Sequence, residues 1–346
     1  MTCRMAIRGI GLVGGFGCGN QAALNALHDG GRPNDVLSFQ ASTGKIDYPV
    51  YLADQEPLKG FISPRKLRRT NKYSRLAALA ACLALQDAGR NIPCQCFDTA
   101  VIVASGYGAS STTFAFLDDI IKEGDRFASP TQFSNSVHSS AASNITILLQ
   151  IKGPCLTVTQ FEMSTIAALL NAQVWLTEKK VDTVLLGGID QINQVLLYCY
   201  HSFWPSEIQQ EIIPFNYDRQ TAIPGEGAAF MVLTRDEGEV PPYGYIDTVS
   251  WESRRAGTND YAVPDDVMLI SGSDGHQACG LQYRKLFRSV DPNRIKSFST
   301  IYGSMPCGQI FDLALASLAA RHKLIPSSCC SIKLDANNNI GVIHHS

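Results

Sequence analysis

The sequence has little net charge and no apolar run long enough to cross a membrane. Its 346 residues include 29 Lys and Arg against 31 Asp and Glu, so the formal charge at pH 7 is only −2. This balance argues against nucleic acid or an anionic membrane as the main partner. The N-terminal stretch contains glycines throughout and lacks a signal-peptide pattern. We therefore expect a soluble cytoplasmic protein with no membrane span and no nucleic-acid partner.

Metal-ligand spacing is also missing, although the chain has 11 cysteines. Cys94 and Cys96, like Cys329 and Cys330, are too close together and too isolated from further ligands to form a zinc site. Several other cysteines lie within apolar runs, where cysteine behaves as a small hydrophobic residue. We expect reduced thiols, no bound metal and no cofactor.

One basic run, "SPRKLRRTNKYSR" at 63–75, departs from the even distribution of charge. A solvated loop and helix start is the more common explanation for such a run. An anion-binding patch is the alternative, and an acidic carrier protein would dock on a surface of that kind.

Strand-like and helix-like segments alternate along the chain, which predicts an α/β layered fold. The predicted strands are 6–13, 99–105, 156–159, 183–188, 228–233, 245–250, 267–271, 297–302 and 340–344. The predicted helices are 73–89, 164–180 and 308–323. The segment 164–180 is apolar nearly all round in its first half, so we expect it to be buried. The polar, proline-rich stretch at 235–242 divides the chain into two halves of one compact unit.

The segment "GPCLTVTQFEMSTIAALLNAQVWL" at 153–176 predicts a strand that turns directly into a long apolar helix. Such an elbow often carries a nucleophile, because the side chain there is exposed and the free N–H groups of the helix stabilise negative charge. The residue at this turn is a carboxylic acid, Glu162.

Three segments resemble the β-ketoacyl synthase family. "GPCLTVTQFEMST" (153–165) is similar to the family's Gly-Pro strand that ends in Thr-Ala-Cys-Ser-Ser. "PFNYDRQTAIPGEGAAFMVL" (214–233) resembles its Pro-Phe-Asp…Asp-Arg…Gly-Glu-Gly-Ala-Gly segment, and "SPTQFSNSVHSSAASNITI" (129–147) resembles its dimer-edge segment. The resemblance implies a thiolase-like five-layer α-β-α-β-α sandwich built from two related halves and normally dimeric. The N-terminal half, with the elbow and dimer-edge segments, would be 1–235, and a shortened C-terminal half would be 236–346.

The residues that perform condensation in this family are missing here. The resemblance places the nucleophilic cysteine at Glu162, the first histidine at Gly272 and the second histidine at Ser304, after Gly303. The family's lysine upstream of the second histidine is replaced around 299–300, and its C-terminal Gly-Phe-Gly-Gly gate loop is absent. The four losses of the nucleophile, the two histidines and the gate loop indicate that this chain has no catalytic residues for condensation.

Glu162 has three possible explanations: a plug in the former cysteine pocket, an ordinary glutamate in the first helical turn, or an active carboxylate. The structural explanations are favoured, because a carboxylate that attacks a thioester needs acid–base help nearby. His276 is the one candidate for such help, although its Asp-Gly loop predicts an exposed side chain. Glu226 is expected to be a buried structural acid that holds a turn. His344 and His345 are adjacent on a predicted strand and so point to opposite faces, which argues against a metal pair.

An inactive synthase with its scaffold intact resembles the chain length factors of bacterial type II polyketide systems, and in particular those of aryl polyene or related highly reducing systems. The resemblance implies a heterodimer with a catalytic ketosynthase and transient binding of an acyl carrier protein. By position, 109–119 matches the family's tunnel-gating helix. The candidate tunnel residues are Thr112, Thr113, Phe116, Leu117 and Phe133, and the candidate interface residues are Asn135, Val137 and His138.

Three alternatives remain open. Phe114, Phe116 and Leu117 could simply be core residues of their helix. The chain could be a Glu162-dependent decarboxylase or hydrolase of acyl carrier protein thioesters. It could also be a homodimeric scaffold that binds acyl groups without controlling their length.

Overall fold

The computed structural model describes residues 3–42, 44–204, 208–236, 238, 240–253 and 266–346. The strands are β1 (Met5–Gly14), β2 (Gly17–Cys18), β3 (Asp35–Ala41), β4 (Gly44–Val50), β5 (Thr99–Ala104), β6 (Cys155–Val158), β7 (Thr183–Asp190), β8 (Gly227–Arg235), β9 (Tyr245–Ser253), β10 (Met268–Ser271), β11 (Ile295–Lys296), β12 (Cys329–Leu334) and β13 (Asn339–His345). The helices are α1 (Asn20–Asp29), α2 (Pro64–Leu67), α3 (Lys72–Asp87), α4 (Ser110–Glu123), α5 (Pro130–Ser136), α6 (Ser140–Leu149), α7 (Ser164–Thr177), α8 (Gln194–Phe203), α9 (Gln277–Leu286), α10 (Ser299–Tyr302) and α11 (Gly308–Arg321).

The main sheet consists of two half-sheets with the same strand order. The first runs β6-β5-β7-β8-β1 and the second β11-β10-β12-β13-β9. In each, the first three strands are parallel and the last two are antiparallel to their neighbours. The half-sheets join where β1 pairs with β9 through Met5 and Ala6. Strands β3 and β4 form a separate hairpin.

Helices α7 and α11 lie between the two half-sheets and pack against strands of both. Both helices are buried on nearly every face, as their apolar sequences require. Helices α3 and α6 cover the outer face of the first half-sheet, and α9 covers the outer face of the second. The predicted α/β class and the five-layer α-β-α-β-α sandwich are therefore confirmed.

The first strand packs directly against the backbone of the outer helix α3. A Cβ placed on Gly11 would lie 2.1 Å from the carbonyl oxygen of Ala80, and one on Gly9 would lie 2.5 Å from that of Ala84. Only glycine allows this close approach of β1 and α3.

The strand predicted at 297–302 is wrong. Strand β11 ends at Lys296, and 299–302 is the short helix α10. The local serines explain the helix, because the hydroxyl groups of Ser297 and Ser299 both donate to the carbonyl oxygen of Ser273 instead of leaving the segment free to pair. Strand β12, whose bounds were not predicted, carries a lysine among its buried residues.

The expectation that all thiols are reduced is also wrong, because Cys94 and Cys96 form a disulfide. Their Cα atoms are 5.3 Å apart, within the usual range for a disulfide, and Gln95 between them has a φ of 51°. Across the described ranges, no group of three or more metal-ligating side chains comes together. The helices of those same ranges are all too short or too polar to cross a membrane.

Candidate functional site

The predicted elbow lies between β6 and α7. After β6, Phe161 adopts a φ of 45° and a short 3₁₀ turn over Phe161–Met163 leads into α7. The hydroxyl of Ser164 accepts a hydrogen bond from the backbone N–H of Gln160 at 2.7 Å and donates to the carbonyl oxygen of Ser105 at 3.1 Å. These two bonds fix the turn that presents Glu162.

Glu162 borders a cavity of about 190 Å³. The cavity lies at the carboxyl ends of β6, β10 and β12, which bring residues distant in sequence to one edge of the two half-sheets. Its other polar lining residues include Asp274, His276 and Lys333, together with Tyr200 of α8 and Cys279 of α9.

Lys333 occupies the space beside Gly272, the position that the resemblance assigns to the first histidine. A Cβ on Gly272 would lie 2.5 Å from Cδ of Lys333. The Lys333 ammonium donates to the carbonyl oxygen of Gly272 at 2.9 Å and pairs with Asp274 Oδ2 at 3.3 Å. The absence of a side chain at Gly272 therefore leaves room for a buried lysine from the neighbouring strand β12.

Asp274 and Lys333 form a buried ion pair, with relative exposures of 8% and 3%. Burial alone raises the pKa of Asp274, but the Lys333 ammonium and the hydrogen bond from Ser304 Oγ at 3.0 Å outweigh it, and the net pKa lies below the usual value. Burial lowers the pKa of Lys333, and the Asp274 carboxylate more than reverses this, so its pKa is raised. Both groups are therefore charged at neutral pH.

His276 is part of this site, and the expectation that it is exposed is wrong. Its Nε2 lies 3.1 Å from the hydroxyl of Tyr200 and its Nδ1 lies 3.1 Å from the side-chain nitrogen of Gln220. The ring also packs edge-on against Trp204, with 4.8 Å between centroids. Burial lowers the pKa of His276 in spite of Asp274, so the imidazole is neutral near pH 7. A loop sequence could not reveal these contacts, because they come from α8 and from the segment before β8.

Burial raises the pKa of Glu162, and Lys333 only partly offsets this. The cavity also holds one thiol from the described residues, that of Cys279, and burial raises its pKa to about 12. A thiol with that pKa is almost fully protonated at neutral pH and is a poor nucleophile. The sequence contains no histidine between 277 and 321, the stretch in which the resemblance places the second histidine. The cavity thus lacks a thiolate and the imidazole pair.

Asp190, at the end of β7, was not predicted as a site residue. Its Oδ1 accepts hydrogen bonds from the Ser105 hydroxyl at 3.0 Å and from the backbone N–H groups of Gly106 and Tyr107 at 2.8 and 2.9 Å. Its Oδ2 accepts from the N–H of Cys307 at 2.9 Å. This buried carboxylate ties the loop after β5 to the start of α11, and an acid that directly follows a run of buried strand residues is the sequence signal for it.

Glu226 is fully buried, as expected for a structural acid. It accepts a hydrogen bond from the N–H of Ala53 at 3.1 Å and forms an ion pair with Lys72. Through these contacts it holds the segment before β8 against the start of α3.

The candidate tunnel residues lie together on α4 and α5. The rings of Phe116 and Phe133 are 5.6 Å apart, and the hydroxyl of Thr113 donates to the carbonyl oxygen of Ser136 at 2.9 Å. Thr112 accepts a hydrogen bond from Asn71 at 2.9 Å. No residue of α4 is fully buried: Phe114 and Phe116 are half-buried and Leu117 is exposed.

The candidate interface residues follow on α5 and just after it. Val137 and His138 are exposed, as are Leu117 and Phe133 nearby. Asn135 is buried within the chain, where its amide nitrogen donates to the carbonyl oxygens of Arg69 and Thr131, both at 2.9 Å. Asn135 thus lies beneath the exposed residues Leu117, Phe133, Val137 and His138 and fixes the position of α5.

A protein-family model matches more than half of the chain. The model of the β-ketoacyl synthase N-terminal domain matches residues 22–238. A putative polyketide β-ketoacyl synthase 1 of Streptomyces cyaneus is 25% identical over 247 residues, covering 67% of this chain and 58% of that protein. Nodulation protein E of Rhizobium sp. (strain N33) is 25% identical over 244 residues, with the same coverage of 67% and 58%. The chain thus spans less than two thirds of the length of these relatives.

Solved structures share the fold along the whole chain. The ishigamide ketosynthase/chain length factor superposes with a TM-score of 0.80 at 16% identity, covering 99% of both chains. A second structure is described as a type II polyketide synthase acyl-carrier protein in complex with its ketosynthase bound to the hexaketide. A chain of this complex superposes with a TM-score of 0.77 at 14% identity, covering 100% of this chain and 99% of that one. At these identities the similarity concerns the fold.

Proposed function

Since the chain belongs to the β-ketoacyl synthase family, we propose that it is a catalytically silent chain length factor. It would pair with an active ketosynthase in a bacterial type II polyketide system and shape the tunnel that holds the growing acyl chain. The narrower assignment is to a polyene system of the aryl polyene kind. The observation that carries the proposal is the rebuilt cavity, in which Lys333 and Asp274 occupy the space beside Gly272 and Glu162 stands at the elbow.

The chemistry of that cavity argues against condensation by this chain alone. A thiolate must take the acyl group, and donors must stabilise the enolate and the oxyanion. Glu162 offers neither, and the Cys279 thiol is protonated at neutral pH. The Lys333 ammonium is already paired with Asp274, so it is not free to bind a developing oxyanion.

The surface of α4 and α5 supports the existence of a partner subunit. Leu117, Phe133 and Val137 expose apolar side chains there, and such a patch commonly marks an interaction site. In the proposed heterodimer this surface, with Asn135 beneath it and His138 beside it, contacts the ketosynthase.

The same surface supplies the proposed tunnel wall, formed by Thr112, Thr113, Phe116, Leu117 and Phe133. A growing polyene is stiff and apolar, so a dry channel stabilises it by about 0.8 kcal/mol per buried carbon unit. Elongation stops where the chain meets a bulky side chain, and the packed rings of Phe116 and Phe133 are the candidates for that stop.

An acyl carrier protein would bring substrates to this complex in the cytoplasm. The basic side chains of Arg65, Lys66, Arg68 and Arg69 are exposed around α2 and could contribute to docking of this acidic partner.

A second candidate is a Glu162-dependent decarboxylase or hydrolase, and one observation favours it: Glu162 and His276 line the same cavity. Against it, both ring nitrogens of His276 are engaged by Gln220 and Tyr200. Incubating the purified chain with acyl carrier protein that carries a malonyl or an acyl group distinguishes this candidate from a catalytically silent subunit. Turnover abolished by Glu162→Gln would establish this candidate and overturn catalytic silence.

The heterodimer and the tunnel are tested by co-expression with the cognate ketosynthase and mass analysis of the products. We expect the two chains to co-purify and Phe116→Ala to yield longer products, because it shortens the side chain at the proposed stop. Leu281→Ala, which removes an exposed apolar side chain from α9 in the other outer layer, is the matched control and should leave product length unchanged. A stable homodimer that ignores the ketosynthase would refute the pairing, and unchanged products from an active Phe116→Ala complex would refute the tunnel assignment.

A further inference from the structure

A second cavity, of about 360 Å³, lies at the other end of strand β12. Lys333 and Leu334, at the carboxyl end of β12, line the first cavity, whereas Ser327, just before its amino end, lines the second. Ser327 and Lys333 are six positions apart along an extended segment, which corresponds to about 20 Å. A ligand in the second cavity would therefore not touch the site of Glu162.

The second cavity carries two arginine–tyrosine stacks. The guanidinium of Arg321, in the last turn of α11, lies 4.6 Å from the ring centroid of Tyr243, and that of Arg4 lies 4.1 Å from the ring centroid of Tyr245. Arg4 is neutralised by Asp247, at 2.7 Å. Arg321 has no ion-pair partner among the residues that the structure describes, so its positive charge is available to a ligand.

Two buried polar side chains also line this cavity without a hydrogen-bond partner in the described part of the chain. These are His345, through Nε2, and Ser317, through Oγ, each with a relative exposure of 2%. Buried polar atoms are nearly always hydrogen-bonded in folded proteins. Burial lowers the pKa of His345 to about 4, so its imidazole is neutral and the cationic group here is Arg321.

The remaining lining is largely apolar: it comes from Val240, Pro241, Pro242, Gly244 and Ala320, with Ser346 as a further polar residue beside Ser327. A cavity of about 150 Å³ is sufficient to hold benzene, so this one has room for an organic group and not only for an inorganic ion. The position of Tyr243 is fixed by a hydrogen bond from the amide of Asn20 at 3.2 Å, which keeps the stacked guanidinium in place.

We propose that this second cavity binds a small organic monoanion, a carboxylate with an apolar or aromatic body. Its carboxylate would pair with Arg321 and accept hydrogen bonds from Ser317 and His345, and its body would lie against the prolines and the tyrosine rings. The inference is independent of the proposed role as a chain length factor, because no residue of the elbow, the tunnel or the first cavity takes part.

The test is calorimetric titration of the full-length protein, alone or with its partner, with benzoate and with benzamide, its neutral counterpart. We expect benzoate to bind and benzamide to bind at least tenfold more weakly. Arg321→Gln should weaken benzoate binding at least tenfold, because it removes the charge that pairs with the carboxylate. The variant should stay folded, because Arg321 is exposed on the helix surface and does not support the core. Arg288→Gln, an exposed arginine beyond α9, is the matched control and should leave binding unchanged.

Thermal unfolding of each variant shows whether it is folded. Ser317→Ala is a second variant that should weaken benzoate binding, and it keeps the charge of Arg321. The proposal is overturned if benzoate gives no heat of binding up to about 10 mM, a concentration one decade above a millimolar dissociation constant. It is also overturned if inorganic phosphate binds as well as benzoate, or if Arg321→Gln and Arg288→Gln behave alike.

Discussion

Changing Asp274 to Asn would leave the Lys333 ammonium buried beside a neutral amide. The two charges are 3.3 Å apart, and at an effective dielectric constant of 20 their attraction is about 5 kcal/mol before the cost of removing both from water. Since that cost offsets most of the attraction, the intact pair contributes little net stability. Removing one partner, however, leaves an uncompensated charge, which destabilises a protein by about 3–5 kcal/mol.

We therefore expect Asp274→Asn and Lys333→Met each to lower the free energy of unfolding by about 3–5 kcal/mol. The double variant should cost no more than either single one, because it removes both charges while keeping side-chain volume. The pKa of Asp274 is lowered in the folded state, so its charge persists at mildly acidic pH, and the cost of Asp274→Asn should stay constant from pH 7 to about pH 5.

The measurement is urea unfolding followed by tryptophan fluorescence, at one fixed protein concentration and with the partner subunit present if it is needed for folding. The exposed pair of Lys180 and Glu178, 2.8 Å apart, is the matched control. Its double-mutant coupling should be at most about 1 kcal/mol. Additive effects of Asp274→Asn and Lys333→Met would refute the account of the rebuilt cavity.

Two further predictions concern the elbow and the sheet. Burial raises the pKa of Glu162 in the folded state, so its ionised form destabilises the fold at high pH. Glu162→Gln should therefore increase the free energy of unfolding at pH 8, and this gain should shrink as pH falls and vanish below about pH 4.5. A gain that does not depend on pH would contradict this account. Gly11→Ala should destabilise the protein by about 2 kcal/mol or more in thermal unfolding, because the new Cβ would lie 2.1 Å from the Ala80 carbonyl oxygen. Gly60→Ala is the control and should have little effect, because the space around Gly60 is open. Equal effects of the two substitutions would refute the close packing of β1 and α3.

The layered fold could be predicted from the sequence, because it follows from patterns within single segments. The apolar faces of 164–180 and 308–323 require burial on both sides, and the alternation of strands and helices limits the layers. The elbow was also predictable, since Gly153 and Pro154 fix its start and Ser164 its end. The segment 297–302 was not, because its serines bond to a carbonyl group from a distant loop.

That the chain has no cysteine at the elbow and no histidine at Gly272 or Ser304 is visible in the sequence alone, because it depends only on which residues are present. Which side chains fill the cavity was decided by the tertiary structure. Strands β10 and β12 pair in parallel with Ser271 opposite Ile332, so Gly272 and Lys333 become neighbours although 60 intervening residues separate them in the chain. The same packing brings Tyr200 and Gln220 to His276. A sequence specifies each side chain, but the pairing register of distant strands determines which side chains share a cavity and therefore which charges they carry.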